Sequence, residues 1–451
     1  MIKILVTVGP VSTDESSLEF FSKKTKLFRL NGSHGTLEWH RAAVSSIRKV
    51  CPDAFILMDI PGIKPRTNNL ENIQIYKGQE VLFGDAPFGE QRLSLELTKA
   101  LPKHDRSLTN FSVNDGQFEF EFVNCGDGFI VGRSRSDFTL LPRKGINLPN
   151  SIYDEVQQAE IYKKFIKSII DMDIDGLGLS FVQTGDLVEQ IRTVTPNLVL
   201  ISKVENSEGL RNCIEIIKHS DGIMIDRGDL SAEIGLNNLY GAIELISDNT
   251  KAHGKPLIMA TENLETMMER QVPSKSEVMS IAHSASLGVD CIMLSEETAI
   301  ATSGPAIVTW LNSFLLNCMR VNCPKASSTI RNKFALVWNT VSNLADMPVL
   351  ILTKSGHALF EYFSVVPEGE AVLITDNPKL LKISKLFANN ITVVKRSITE
   401  PPLEILWQVV EQNKDKLFSN NKQIAAVYVS NYVITARANS ITILDHTDFG
   451  L

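Results

Sequence analysis

The chain has 451 residues, 43% of them hydrophobic and 22% charged, with a formal net charge of -7. At roughly 100 to 200 residues per domain this predicts two to four domains, and the composition excludes a disordered chain. The acidic balance gives no footing for nucleic acid or an anionic membrane, although a local basic cluster could still hold a small anion.

From the amino terminus, short runs apolar on both faces recur: "IKILVTV", "KLFRL", "FILMDI", "DGLGLS", "LVLISK", "DGIMID", "PLIMA" and "VDCIML". Such runs suit parallel strands covered by helices. The patterns between them, such as "SLEFFSKK" and "AEIYKKFIKSIIDM", suit right-handed crossovers. Eight units of this kind predict a (β/α)8 TIM barrel, an α/β fold. The rhythm breaks after "FILMDI", where alternating patterns and turn signals ("NDGQFEFEFVNCGDGFIVG") predict an inserted small β domain. Farther on, "RVNCPKASST" reads as a linker, and "VLILTK", "AVLIT", "ITVVKR", "IAAVYVS" and "SITILD" predict a C-terminal doubly wound α/β domain. The expected boundaries are 1–66 and 154–320 for the barrel, 67–153 for the insertion and 321–451 for the last domain. The six cysteines are scattered without CxxC or zinc-finger spacing, so reduced structural thiols are expected. No stretch approaches about 18 uncharged apolar residues, and "MIKILVTVGP" lacks the marks of a signal peptide, so the expected location is cytoplasmic.

Catalytic groups of such barrels gather where strands finish. The strand ends carry Arg29 and Asn31, Asp59 and Arg66, Ser180, Lys203 and Glu205, Asp226 and Asp229, Thr261, then Ser295, Glu296 and Glu297. Glu205 and Asp229 follow adjacent strands and could share a hard ion such as Mg²⁺ or Mn²⁺. Arg29, Arg66 and Lys203 would then surround an anion, the apparatus of phosphoryl transfer. Each charge taken singly also fits a solvated loop or a salt bridge. His34 could merely cap the following helix. HExxH, Walker-type and GxGxxG patterns are absent.

Several collinear motifs resemble those of the pyruvate kinase family. They are "LISKVENSEGL", "SDGIMIDRGDLSAEIG", "KPLIMATENLETM", "GVDCIMLSEETA", "KLFRLNGSHGTLEWH" and "VTVGP", with "VNDGQFEFEFV" and "RKGINLP" similar to parts of its lid domain. The resemblance implies that phosphoenolpyruvate and ADP give pyruvate and ATP. Lys203 would stabilise the phosphoryl group in transfer, and Glu205 and Asp229 would hold the divalent metal. Arg29 would contact the phosphate with Arg66 nearby, while Gly228, Asp229, Thr261 and Ser295 would meet the substrate, Thr261 contributing to proton delivery. Arg29, His34, Lys144 and Asp115 would serve nucleotide binding or lid closure. Asn31, Ser33 and Asp59 match the monovalent-cation site, and Lys64 stands where K⁺-independent members tend to carry a lysine in place of the ion. Independence of K⁺ is therefore expected, although Lys64 read alone could be a surface residue. A homo-oligomer, dimer or tetramer, is also expected.

The sequence departs from the family pattern at Asp226, usually a small residue beside the substrate carboxylate, and at Glu296, Gly32, Gln183, Ile63 and Pro65. A carboxylate about 4 Å from another anion costs on the order of 4 kcal/mol at an effective dielectric of 20. Asp226 therefore turns toward a cation such as Arg227, joins the metal shell, or marks a different substrate. A barrel acting on another enol phosphate or 2-oxo acid, and a catalytically reduced binding or regulatory protein, remain alternative readings. "LTKSGHA" resembles an effector-phosphate loop but also suits an ordinary strand-to-helix turn. The glycine- and threonine-rich loop expected within "VYVSNYVITARANSITILDHTD" is missing, so sugar-phosphate activation is not expected.

Overall fold

The computed structural model describes residues 1–103, 108–318, 349–366, 369–419, 422–428 and 440–450. The stretch read as a linker, Arg320–Thr329, lies outside them, as does most of the segment expected to hold the second effector loop.

All eight apolar runs form strands of one closed parallel barrel: Lys3–Thr7, Leu27–Asn31, Phe55–Ile60, Gly176–Leu179, Val199–Val204, Gly222–Asp226, Leu257–Ala260 and Cys291–Leu294. Alternation along each strand explains why both faces are apolar. Leu5, Leu27, Phe55, Leu57, Val199, Ile201, Met224, Ile258 and Met293 fill the barrel interior, whereas Ile4, Val6, Phe28, Ile56, Ile223 and Ile292 pack beneath the outer helices. Between the third and fourth strands the chain builds a six-stranded sheet from strands lying between Glu80 and Asn147, plus the pair Ile73–Ile75 and Phe138–Leu140. Stacked and edge-on contacts among Phe83, Phe111 and Phe120 form its centre. The C-terminal sheet has four parallel strands and an antiparallel edge, Ser440–Asp445. Cys51, Cys125, Cys213 and Cys291 are free thiols. Among the described residues no helix is long and apolar enough to cross a membrane.

The C-terminal domain closes the amino-terminal end of the barrel. Its Leu359, Tyr362, Phe363 and Phe387 belong to the same apolar cluster as the barrel interior. Around that plug stand Asp175, Asp221 and Asp290, each immediately before an even-numbered strand. Each accepts the backbone N–H of the preceding strand, from Ile56, Leu200 and Leu257, at 2.9 Å. Each also pairs with a barrel cation: Arg48 at 2.7 Å, Arg192 at 3.1 Å and Lys251 at 2.7 Å respectively. The C-terminal domain supplies the remaining donors, Lys382 at 3.3 Å, Lys379 at 2.8 Å and the Ala388 N–H at 2.9 Å. The Thr353–Gly356 segment is a strand-to-helix turn: the Gly356 N–H donates to Thr353 Oγ1 at 3.0 Å, and the helix His357–Val365 begins beyond it.

Candidate active site at the carboxyl ends of the barrel strands

The opposite mouth of the barrel holds a linked set of buried charges. Lys203, on the fifth strand, places its ammonium 2.5 Å from Glu205, 3.3 Å from Asp226 and 3.6 Å from Asp59. Burial disfavours that ammonium, yet the three carboxylates outweigh it and hold Lys203 well above its ordinary pKa. Asp59 serves two cations, because Arg29 grips it through Nε at 3.0 Å and Nη2 at 2.7 Å. Those guanidinium and ammonium groups override burial and keep Asp59 ionised. Arg29 also donates to Thr7 Oγ1 at 3.2 Å, so its orientation is fixed before any anion arrives.

Glu205 is completely buried. Its Oε2 accepts the Phe181 N–H at 2.6 Å, while Oε1 meets the Lys203 ammonium at 2.5 Å. Burial pushes its carboxyl up to about 8, with Lys203 opposing. Phe181 presents that N–H from φ 62°, an unusual backbone for a bulky residue. Glu205, Asp226 and Asp229 each offer an oxygen within 4.8 Å of the others, an all-oxygen set suited to a hard cation.

Asp226 does not turn to Arg227. Arg227 is buried and committed to the end of the seventh strand, where it donates to the carbonyls of Thr261 and, at 2.9 Å, Glu262, and to Asn263 Oδ1 at 2.9 Å. Thr261 and Glu262 have φ of 58° and 51°, costly for a β-branched residue, and this turn aims their carbonyls at the guanidinium. The same turn brings the Thr261 hydroxyl 3.0 Å from Asp226 Oδ1 and within 3.1 Å of the Gly228 N–H.

Lys64 is buried, not a surface lysine. Its ammonium bonds to Asp229 and lies 2.7 Å from Asp115 of the inserted domain. Burial would lower its pKa, but the two carboxylates raise it instead. It is drawn to these partners rather than to the Asn31 and Ser33 group, where Asn31 Oδ1 accepts the Ser33 N–H at 3.1 Å. Arg66 donates to the Arg143 carbonyl at 3.2 Å and pairs with Gly145, so it stands on the junction between barrel and insertion. Lys144 lies on the same junction, its N–H on Thr67 Oγ1 at 3.1 Å. His34 sits on the rim, its basicity lowered by desolvation and by the Arg66 and Arg29 cations. It does not cap the next helix; Thr36 does, accepting from the Trp39 N–H at 3.2 Å. Ser295 donates its N–H to the buried Glu297 at 2.6 Å, which also takes the Leu264 N–H at 3.1 Å and so ties the seventh and eighth strand ends together. Glu296 is exposed.

Two elements of the site have roles the sequence did not disclose. The Gln183 side chain acts as a peptide mimic: Oε1 accepts the Tyr153 N–H at 2.8 Å and Nε2 donates to the Tyr153 carbonyl at 3.0 Å. This pins the strand by which the insertion returns to the barrel, and Ile63, Tyr153 and Phe181 form a separate apolar cluster beside it. Removing both bonds leaves two buried backbone groups unpaired, at about 1 to 3 kcal/mol each. Gln183→Ala is therefore expected to raise the rate of limited proteolysis within residues 67–153 about tenfold. An unchanged cleavage rate would remove the clamp from the account.

Glu233, on the buried side of the helix Arg227–Ile234, accepts from Asn147 Nδ2 and the Tyr153 hydroxyl, each at 3.3 Å, while its Oε2 is buried without a partner. Burial pushes its carboxyl from the ordinary 4.5 up to about 8, with Lys64 opposing and Asp229 adding. The folded chain thus keeps a proton that the unfolded chain has released, and stability falls as pH rises from about 4.5 to 8. Glu233→Gln stays neutral throughout. Its thermal midpoint relative to wild type is expected to climb by several degrees between about pH 5.5 and about pH 8.5, on the order of a few kcal/mol. A difference that stays flat with pH would show Glu233 to be ionised in the fold.

Comparison with known proteins places this geometry in context. Residues 1–305 match the family model described as pyruvate kinase, barrel domain. The chain is similar to the pyruvate kinase of Dictyostelium discoideum, 30% identical over 66% of this chain and 62% of that protein. It is also similar to a cytosolic pyruvate kinase isozyme of Glycine max, 32% identical over 66% and 61%, and to the pyruvate kinase of Encephalitozoon cuniculi, 31% identical over 71% and 76%. The first two matches thus span less than two thirds of the relative's own length.

Proposed function

This chain belongs to the pyruvate kinase family, and from that premise we propose that it transfers the phosphoryl group of phosphoenolpyruvate to ADP, giving pyruvate and ATP. The observation that carries the reading is Lys203, a buried ammonium at the barrel mouth held among Glu205, Asp226 and Asp59 with Arg29 beside it. Phosphoryl transfer needs little covalent help; it needs charge set in place beforehand. Asp59 orients both cations, so they meet the phosphoryl oxygens without reorganising. The Thr261 hydroxyl, held by the Gly228 N–H and Asp226, is the group from which the enolpyruvate receives its proton, while Ser295 lies on the rim beside it. His34, Arg66, Lys144 and Asp115 line the side where the insertion meets the barrel, and there we place the nucleotide.

Glu205 and Asp229 fit a divalent ion, since with Asp226 they bring three carboxylate oxygens within 4.8 Å of one another and the donor set is all oxygen. Mg²⁺ or Mn²⁺ bound there would neutralise developing charge on the transferring group. Lys64 makes K⁺ dispensable in this reading. A cytoplasmic location and a dimeric or tetrameric assembly go with it.

Asp226 favours one competing reading, a related barrel acting on another enol phosphate or 2-oxo acid, because its charge lies where a substrate carboxylate would be repelled. The separating experiment is pyruvate formation from phosphoenolpyruvate and ADP with Mg²⁺ or Mn²⁺, for wild type and Asp226→Ala. Turnover by wild type is expected. Activity gained only in Asp226→Ala would indicate a catalytically reduced protein, and inactivity in both would favour the other substrate.

A further inference from the structure

We propose that Asp226 is a third carboxylate ligand of the divalent ion, so that the protein itself, before any phosphate substrate arrives, completes the anionic side of the metal site. The inference rests on the metal-dependent reading above and deepens it.

The first observation is charge. Five carboxylates, Asp59, Asp115, Glu205, Asp226 and Asp229, form one linked group with three cations, Arg29, Lys64 and Lys203. Carboxylates outnumber cations in this group by two, so a divalent cation bound among them would balance all five in their ionised form. Without the carboxylate at 226 the excess would be one.

The second observation is which oxygens remain open. Glu205 is fully buried, with Oε2 taken by the Phe181 N–H and Oε1 sharing the Lys203 ammonium at 2.5 Å. Asp226 is 6% exposed; its Oδ1 receives the Thr261 hydroxyl, and Oδ2 has the ion contact to Lys203 at 3.3 Å. Asp229 gives Oδ1 to Lys64. Each carboxylate thus keeps an oxygen whose hydrogen-bonding capacity is not exhausted, and one oxygen from each lies within 4.8 Å of the others. The third observation concerns alternatives. Arg227, the cation nearest in sequence, spends its donors on the seventh-strand end and on Ser280 and forms no ion pair with Asp226.

Mn²⁺ binding to the full chain, followed by calorimetry and by the electron paramagnetic resonance of free Mn²⁺, tests this without phosphoenolpyruvate or ADP. Wild type is expected to bind one equivalent. Asp226→Asn, which keeps the shape and can keep the Thr261 contact, and Asp226→Ala are both expected to weaken binding about a hundredfold. Asp229→Asn provides the scale for loss of one ligand. If either Asp226 variant with the wild-type circular dichroism spectrum binds Mn²⁺ within tenfold of wild type, Asp226 is not a ligand and only orients Thr261. Binding that depends on Asp226 in a chain that forms no pyruvate would overturn the proposed reaction and leave this inference standing. Turnover by wild type with Mn²⁺ affinity indifferent to Asp226 would do the reverse.

Discussion

Lys203→Met is expected to fold and to lose about a thousandfold in kcat for pyruvate formation, with a much smaller change in KM. Among the described residues the ammonium is the only cation in contact with both Glu205 and Asp226, so no neighbour takes over the charge it presents to a phosphoryl group. Methionine fills the volume but leaves three carboxylates facing one another. Breaking a buried ion pair by removing one partner costs about 3 to 5 kcal/mol, so the metal-free variant should melt well below wild type. Saturating Mg²⁺ should return part of that difference, since an ion among Glu205, Asp226 and Asp229 replaces the missing positive charge. The measurements are steady-state kinetics and thermal unfolding with and without Mg²⁺. Turnover within tenfold of wild type would reduce Lys203 to a structural counter-ion.

The second large effect belongs to Lys64. Its buried ammonium joins a barrel carboxylate, Asp229, to Asp115 of the inserted domain. Lys64→Ala should lower kcat/KM in Na⁺ buffer about a hundredfold, because it leaves Asp229 with an uncompensated neighbour and removes the link across the domain junction. Adding K⁺ at constant ionic strength should recover part of the loss in the variant and leave wild type unchanged. Wild-type turnover rising more than about fivefold on replacing Na⁺ with K⁺ would mean that Lys64 does not stand in for the ion. That test also bears on where the ammonium acts, because in this fold it meets Asp229 and not the Asn31 turn.

The barrel was readable from the chain because period-two burial on both strand faces leaves a continuous apolar signature, and helices between such strands admit few topologies. Lys203, Glu205 and Asp229 were readable because barrels place their chemistry at strand ends, where an apolar run stops abruptly in charge. Asp226 was visible as a residue out of place, but its partner was not. Whether it faces Arg227 or Lys203 depends on how the next strand ends, at the left-handed Thr261 and Glu262. Gln183 stood out only as a departure from the family pattern, with no role attached, and Glu233 gave no signal. A neutral amide copying a peptide bond looks like any surface glutamine, and the helix bearing Glu233 has no apolar stripe because Leu230 is the only large apolar residue among its buried positions, beside Arg227, Gly228 and Glu233. The cap offered as an alternative role for His34 falls to Thr36 for a local reason. Thr36, two residues on, has the extended backbone that lets a hydroxyl reach the first helical N–H groups.

The three aspartates at the far end of the barrel bear on how this chain can be divided. Each spends its carboxylate on a strand N–H and a barrel cation while leaving capacity for a donor that arrives from at least 98 residues away in sequence. A chain stopped after the eighth strand would uncover the apolar floor and strand those carboxylates half-paired. The barrel is therefore not a detachable cassette. Chimeras that exchange C-terminal domains should be chosen by whether the incoming piece offers cations matching Lys379 and Lys382 and a backbone donor matching Ala388, before any thought is given to its effector loops.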